Sequence, residues 1–259
     1  MFDFMPHPAN APRTAPPVLC LSGPTGTADE WIGLEQCLGS RGACQTTDMP
    51  LVFRRKLTMA PDGAHVVAHG SAAYHALKAA IEMPHKVRSL TLIDPDIIAA
   101  LPELKACPQF FGQLRMIERV TAEVAEGRTE AAATRVTNWW MGRGAWDRTS
   151  GTVQDMQVRA MPRLAAEYQG QAATPLTLLA LVNLPCPVRI VAGRRAPSGI
   201  RSFARLLRVA IREVSMTLVK GARGSAHVSD PHVVAPDISN FIVSSDRGWQ
   251  SQASLPVAA

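Results

Sequence analysis

At Val66 to Leu77 the chain reads VVAHGSAAYHAL, an apolar run that passes through small residues into an alanine-rich stretch. His69 and Ser71 flank Gly70 there. An imidazole and a hydroxyl are the parts of a base–nucleophile pair, while Gly70 offers only backbone. Ser71 also has a structural reading, since a serine at a helix start caps the helix. His65 and His69 would chelate a metal from one helix face. On a strand, four residues span about 13 Å, too far for one ion. No metal and no cofactor is expected from these spacings. GPTGT at Gly23 to Thr27 follows an apolar run in the manner of a phosphate loop, but lacks the G-K-[ST] ending and the G-x-G-x-x-G spacing. His227 lies in a loop sequence, GARGSAHVSDP, and Asp94 precedes Pro95, where an aspartate commonly just shapes a turn.

These residues need a scaffold, and the order of apolar runs supplies one. PVLCLSG, ACQTTD, HVVAH, SLTLID, PVRIVAG and VSMTLVKG read as strands, with helical stretches between them. Strands alternating with helices imply a doubly wound, mostly parallel sheet, the α/β class. Thr27 with Glu30 three residues on is a capping box opening the first helix, and Gly39 is its stop. Residues 49–64, holding Pro50, Pro61 and Gly63, leave little room for a crossover, so a short or absent helix is expected there. From Pro95 to about Asn183 the pattern is helical throughout, with Gly127, Gly142 and Gly170 as stops. The division expected is a tail at 1–15, a core at 16–95 and 184–244, a helical cap at 96–183 and a polar tail at 245–259.

The 259 residues carry a formal net charge of +6, with 47% hydrophobic and 5% aromatic residues. So few aromatics speak against nucleic-acid binding, which pairs basic stripes with stacking rings. The basic stripe Arg201, Arg205, Arg208 and Arg212 has apolar residues opposite, the pattern of a solvated outer helix or of an interaction face for an acidic partner. Five cysteines without C-x-x-C spacing fit a reducing compartment, and no signal-peptide pattern opens the chain, so a cytoplasmic protein is expected. Prolines and Asn183 break the most apolar stretch, which makes a poor membrane span. The oligomeric state is not legible.

Taken together, LSGPTGTADEW, the run from VVAHGSAAYHAL to LIDP, NWWMGRGAW and the segments from PVRIVAG onward resemble the α/β-hydrolase superfamily with an inserted helical cap, over residues 16 to 243. The resemblance implies a nucleophile elbow, a sharp strand-to-helix turn with small neighbours. Laid without gaps, its serine falls on Gly70; a shift by one residue makes Ser71 the nucleophile. The superfamily histidine falls on Gly224, with His227 three positions later. The second oxyanion donor falls on Pro24, which has no N–H, with Thr25 or Gly26 as substitutes. The acid falls on Asp94. The resemblance therefore implies a hydrolase fold with an altered triad, binding a small apolar molecule between core and cap; Trp139, Trp140 and Trp146 read equally as lining that pocket or as the hydrophobic core of the cap itself. Its alternative is an enzyme using His227 or His69 with Asp94 as base.

Overall fold

A computed structural model of the chain describes residues 15–39 and 44–253. The tail expected at 1–15 lies almost wholly outside them. Among the described residues six strands form one sheet: β1 (Val18–Leu21), β2 (Cys44–Thr47), β3 (Ala64–His69), β4 (Val87–Ile93), β5 (Val188–Gly193) and β6 (Val214–Val219). Every pairing is parallel, in the order β2-β1-β3-β4-β5-β6. Between them run α1 (Ile32–Leu38), α2 (Pro50–Met59), α3 (Ala73–Glu82), α4 (Phe111–Ala125), α5 (Thr129–Met141), α6 (Gly151–Ala173), α7 (Leu178–Val182), α8 (Ser198–Ala210), α9 (Ala226–Ser229) and α10 (Pro231–Ala253).

The four central strands are largely apolar on both faces because helices cover both faces, while the edge strands β2 and β6 are mostly half-buried. Alternate side chains feed two cores. Leu19, Leu21, Val66, Ala68, Leu90, Leu92 and Ile190 join Phe53, Leu77 and Phe203 of α2, α3 and α8. Val18, Cys20, Val67, Ile93 and Val191 join Trp31, Leu34, Ile238 and Ile242 on the face covered by α1 and α10. The first core continues into the cap through Ala132, Ala133 and Val136 of α5 and Leu164 and Tyr168 of α6.

Three expectations change. α2 is a full helix, not a short or missing one, because Pro50 sits at its first position, where the absent N–H costs nothing. α6 runs through Gly170 to Ala173. The polar tail expected at 245–259 is helical to Ala253: α10 carries Asp246 to Arg88 and His65 of the sheet, and Trp249 stacks on the Arg88 guanidinium at 4.9 Å. The amphipathic reading of α8 holds, with Ile200, Phe203 and Leu207 buried and Arg205, Arg208 and Arg212 in solvent. Among the described residues no helix is long and apolar enough to cross a membrane.

Candidate active site

From β1 the chain passes to β2 on one side; from β3 it passes to β4 on the other. The carboxyl ends of strands at such a reversal form the crevice where open α/β sheets bind ligands. Three loops meet here: the one after β1, the turn after β3 and the one after β6. The cap closes the opposite side through α5 and α6, with Gln157 donating to the Thr25 carbonyl at 3.2 Å.

His69 ends β3 in extended conformation, and Gly70 then turns with φ of 61° into a single turn of 3-10 helix at Gly70–Ala72. That left-handed backbone suits glycine. Gly70 is the apex. Nothing lies within 4 Å of a Cβ built on it, so the apex has room for a side chain and carries none. Ser71, one step along, is buried, with its hydroxyl 3.0 Å from where a Cβ on Gly23 would stand. Its carbonyl accepts from Gln171 Nε2 at 3.3 Å.

In the loop after β6, Gly224 lies under the cap: a Cβ there would meet Trp140 Cε3 at 2.5 Å. The space of the expected histidine column is held by Trp140. Ser225 follows in left-handed backbone, φ 55° and ψ 46°, and α9 then carries His227 inward.

The two histidines converge on an acid from the loop after β1. Glu30 Oε2 stands 3.3 Å from His69 Nδ1 and 3.6 Å from His227 Nε2. The other nitrogen of His69, Nε2, lies 3.2 Å from Ser225 Oγ. The two imidazoles meet edge to face at 4.5 Å, and Trp31 stacks on His227 at 4.9 Å while its Nε1 donates to Ser22 Oγ at 2.9 Å. Burial would raise the Glu30 carboxyl, but the imidazoles of His69 and His227 outweigh it and hold the group well below the ordinary carboxylate range. Burial would lower His69, yet the Glu30 charge and hydrogen bond prevail and raise it. Burial, with His69 alongside, pushes His227 down to about 4. Glu30, His69 and His227 each present a ligand atom, all within 4.8 Å of one another, a set able to hold a metal ion.

Two more carboxylates lie close by. Asp94, fully buried with φ of 43°, accepts the Gly193 N–H at 2.9 Å. Burial raises it to about 6 against the pull of that amide, of His69 and of the Ala226 and Ser225 amides. Its contacts buttress the loops after β5 and β6. Asp96 accepts from Tyr168 Oη at 2.8 Å and Gln113 Nε2 at 2.5 Å, and burial raises it.

The cleft between core and cap is about 230 Å³, below the usual range of drug-sized pockets, roughly 300–1,000 Å³, so it suits a small molecule. Thr25, Glu30, His69, Gly70, Ser71 and Ser225 form its core wall. Val136, Trp140, Met141, Val153 and Leu164 make the cap wall largely apolar. Of the residues expected at the site, His69, Ser71, Thr25, Gly70 and Trp140 line this cleft, and His227 stands behind Glu30. Pro24 faces a separate groove beside Tyr74 and Arg163. Trp139 lines an outer groove of the cap with Arg115 and Arg119, because one helical residue turns it away from Trp140. Trp146 is buried in the hydrophobic core. Glu30, Asp96, Tyr168 and Ser225 were not anticipated. The spacing predicts a capping box for Glu30, but Thr27 makes no side-chain cap bond and the carboxylate turns to the histidines instead.

No family model matches this sequence, and no curated protein sequence matches it. Solved structures do. An α/β hydrolase from Sphaerobacter thermophilus superposes with a TM-score of 0.64 at 17% identity, over 88% of this chain and 93% of that one. An enol-lactonase from Burkholderia xenovorans gives 0.67 at 12%, over 88% and 92%. An esterase from Thermogutta terrifontis gives 0.65 at 15%, over 90% and 91%. At these identities the likeness is one of fold.

Proposed function

We propose that this chain, which has the α/β-hydrolase fold, takes a small, largely apolar molecule into the cleft between core and cap and handles it without acyl-serine chemistry at the elbow, with weak or no ester hydrolysis. The observation that carries the reading is Gly70 at the turn apex, φ 61°, with open space where a nucleophile's side chain would stand. The occupation of the Gly224 position by Trp140 supports it, as does the apolar cap wall. The similar structures include esterases and an enol-lactonase, which makes short acyl esters and lactones the compounds to try. The test is a panel of such esters with the purified chain. Turnover near the uncatalysed rate agrees with the proposal; robust turnover that disappears in Ser71→Ala contradicts it.

A second reading rests on His69. Glu30 Oε2 at 3.3 Å from Nδ1 orients the ring, and Nε2 points to Ser225 Oγ at 3.2 Å. A carboxylate–imidazole pair so arranged is a general base within reach of a hydroxyl. The acid of the pair is then Glu30 rather than Asp94, whose carboxylate serves backbone amides. Because Glu30 raises His69, such an activity would grow with pH as the ring loses its proton above the ordinary histidine range. A flat pH profile for any activity found, or one that survives His69→Gln, counts against it.

A further inference from the structure

We infer that Glu30, His69 and His227 form a binding site for a divalent first-row transition-metal ion, zinc foremost, at the floor of the cleft. The inference goes beyond the ligand-binding reading, which concerns what the elbow lacks.

The donor set comes first. Two imidazoles and one carboxylate are the three protein ligands of many catalytic zinc sites, the fourth position staying open. Imidazole also selects zinc, copper, nickel or iron over magnesium or calcium, which prefer all-oxygen shells. The spacing agrees. Ligands about 2.0–2.1 Å from a tetrahedral ion stand roughly 3.4 Å apart. Glu30 Oε2 meets that spacing on both sides, 3.3 Å from His69 Nδ1 and 3.6 Å from His227 Nε2; the three atoms lie within 4.8 Å of one another, so the two imidazoles draw together on a shared ion.

Hydrogen-bond accounting points the same way. The His227 side chain is 4% exposed, and neither ring nitrogen has a hydrogen-bond partner; Glu30 Oε1 is likewise buried without one. Buried polar atoms are nearly always satisfied, and exceptions mark an ion, a water or a functional group. A cation bound by His227 Nε2 and Glu30 Oε2 gives His227 Nε2 the partner it lacks. The surroundings are those of a supported site. Trp31 stacks on His227 and fixes its plane. His69 Nε2 faces Ser225 Oγ at 3.2 Å. Donating there holds the tautomer that leaves Nδ1 free to coordinate, the usual arrangement around a metal-bound histidine. Glu30 and His69 line the cleft, so the remaining coordination position opens onto it. The ligands come from the segment after β1, the last residue of β3 and the segment after β6, which is why no local spacing in the sequence announces them. Coordination would take the place of the His69–Glu30 contact, so metal and base readings exclude each other at one instant.

The test is titration of the full chain, first dialysed against a chelator, with Co²⁺ and then Zn²⁺. The expected result is one Co²⁺ per chain, with visible absorption of low-coordinate nitrogen–oxygen ligation, displaced by Zn²⁺. His227→Ala should weaken binding by at least about tenfold with unchanged circular dichroism, and the exposed His232→Ala should match the parent. If His227→Ala does not fold, Glu30→Gln is titrated against the same criterion. Absence of stoichiometric binding overturns the site. So does affinity unchanged in the ligand variant, or a near-ultraviolet thiolate band, which would place the ion at Cys20 and Cys44, whose sulfurs touch at 2.8 Å. Ester turnover measured on the same chelated protein keeps the outcomes apart: no metal and no turnover removes only this site, whereas Ser71-dependent turnover removes the ligand-binding reading.

Discussion

Trp140 of the cap occupies the space over Gly224, so close that a Cβ on the glycine would meet ring atom Cε3 at 2.5 Å. The contact ties the lid to the loop that carries Ser225 and His227. Gly224→Ala should therefore cost about 1–3 kcal/mol through overpacking, which for a chain of this size lowers Tm by roughly 2–4 °C per kcal/mol. In the background of Trp140→Ala the same change should cost much less, a coupling that a double-mutant cycle reads directly. Additive losses would mean the two residues do not touch in solution.

Two other glycines separate strain from clash. Gly70→Ala meets no neighbour and bears only the left-handed backbone penalty, about 1–2 kcal/mol. At Gly193 a Cβ would stand 2.0 Å from the Arg223 carbonyl oxygen. That obstacle is backbone, between the β5 end and the loop after β6, so Gly193→Ala should cost more than about 3 kcal/mol or prevent folding. Equal urea midpoints for the two variants would refute this account of the crevice.

Asp94 gives a pH signature. Burial lifts its folded-state value to about 6, from about 3.9 in an unfolded chain. The folded state thus favours the protonated acid between those values. Its contribution is fully favourable below about pH 4 and is lost as pH rises through 6, a change on the order of 3 kcal/mol. Asp94→Asn keeps the shape and tolerates the φ of 43°. It should be more stable than the parent at pH 7 and lose that advantage near pH 4. Urea unfolding at the two pH values decides it, and a constant difference between the proteins would show that Asp94 is ionised throughout.

The end of α10 is structural. Arg88 is 4% exposed and depends on Asp246, with Trp249 over its guanidinium. Ending the chain after Ser244 leaves that buried cation with the Asp62 carbonyl, 2.9 Å away, as a partner. Breaking a buried pair costs about 3–5 kcal/mol, so the truncated chain should melt markedly lower. An unchanged Tm would return these residues to the status of a tail.

The sheet is legible because its central strands are apolar runs of the right length, and the register of VVAHGSAAYHAL points to Gly70, where the backbone turns with φ of 61°. The helix α2 is hard to read from the sequence because Pro50 and Pro61 look like breakers in a short segment, whereas one starts the helix and the other follows its end. Glu30 reads as part of a capping box in the sequence because its spacing from Thr27 matches one. Only the fold could show that its carboxylate meets two imidazoles from loops far away in sequence. Trp139 and Trp140 look alike in the sequence, and helix phase alone sends one to the cleft and the other outward.

The claim that the elbow carries no acyl-serine chemistry is tested most directly by a serine-reactive phosphonate followed by peptide mapping. No stoichiometric adduct is expected at Ser71, which lines the cleft one residue past the Gly70 apex. A full-occupancy adduct at Ser71, lost in Ser71→Ala, would contradict it.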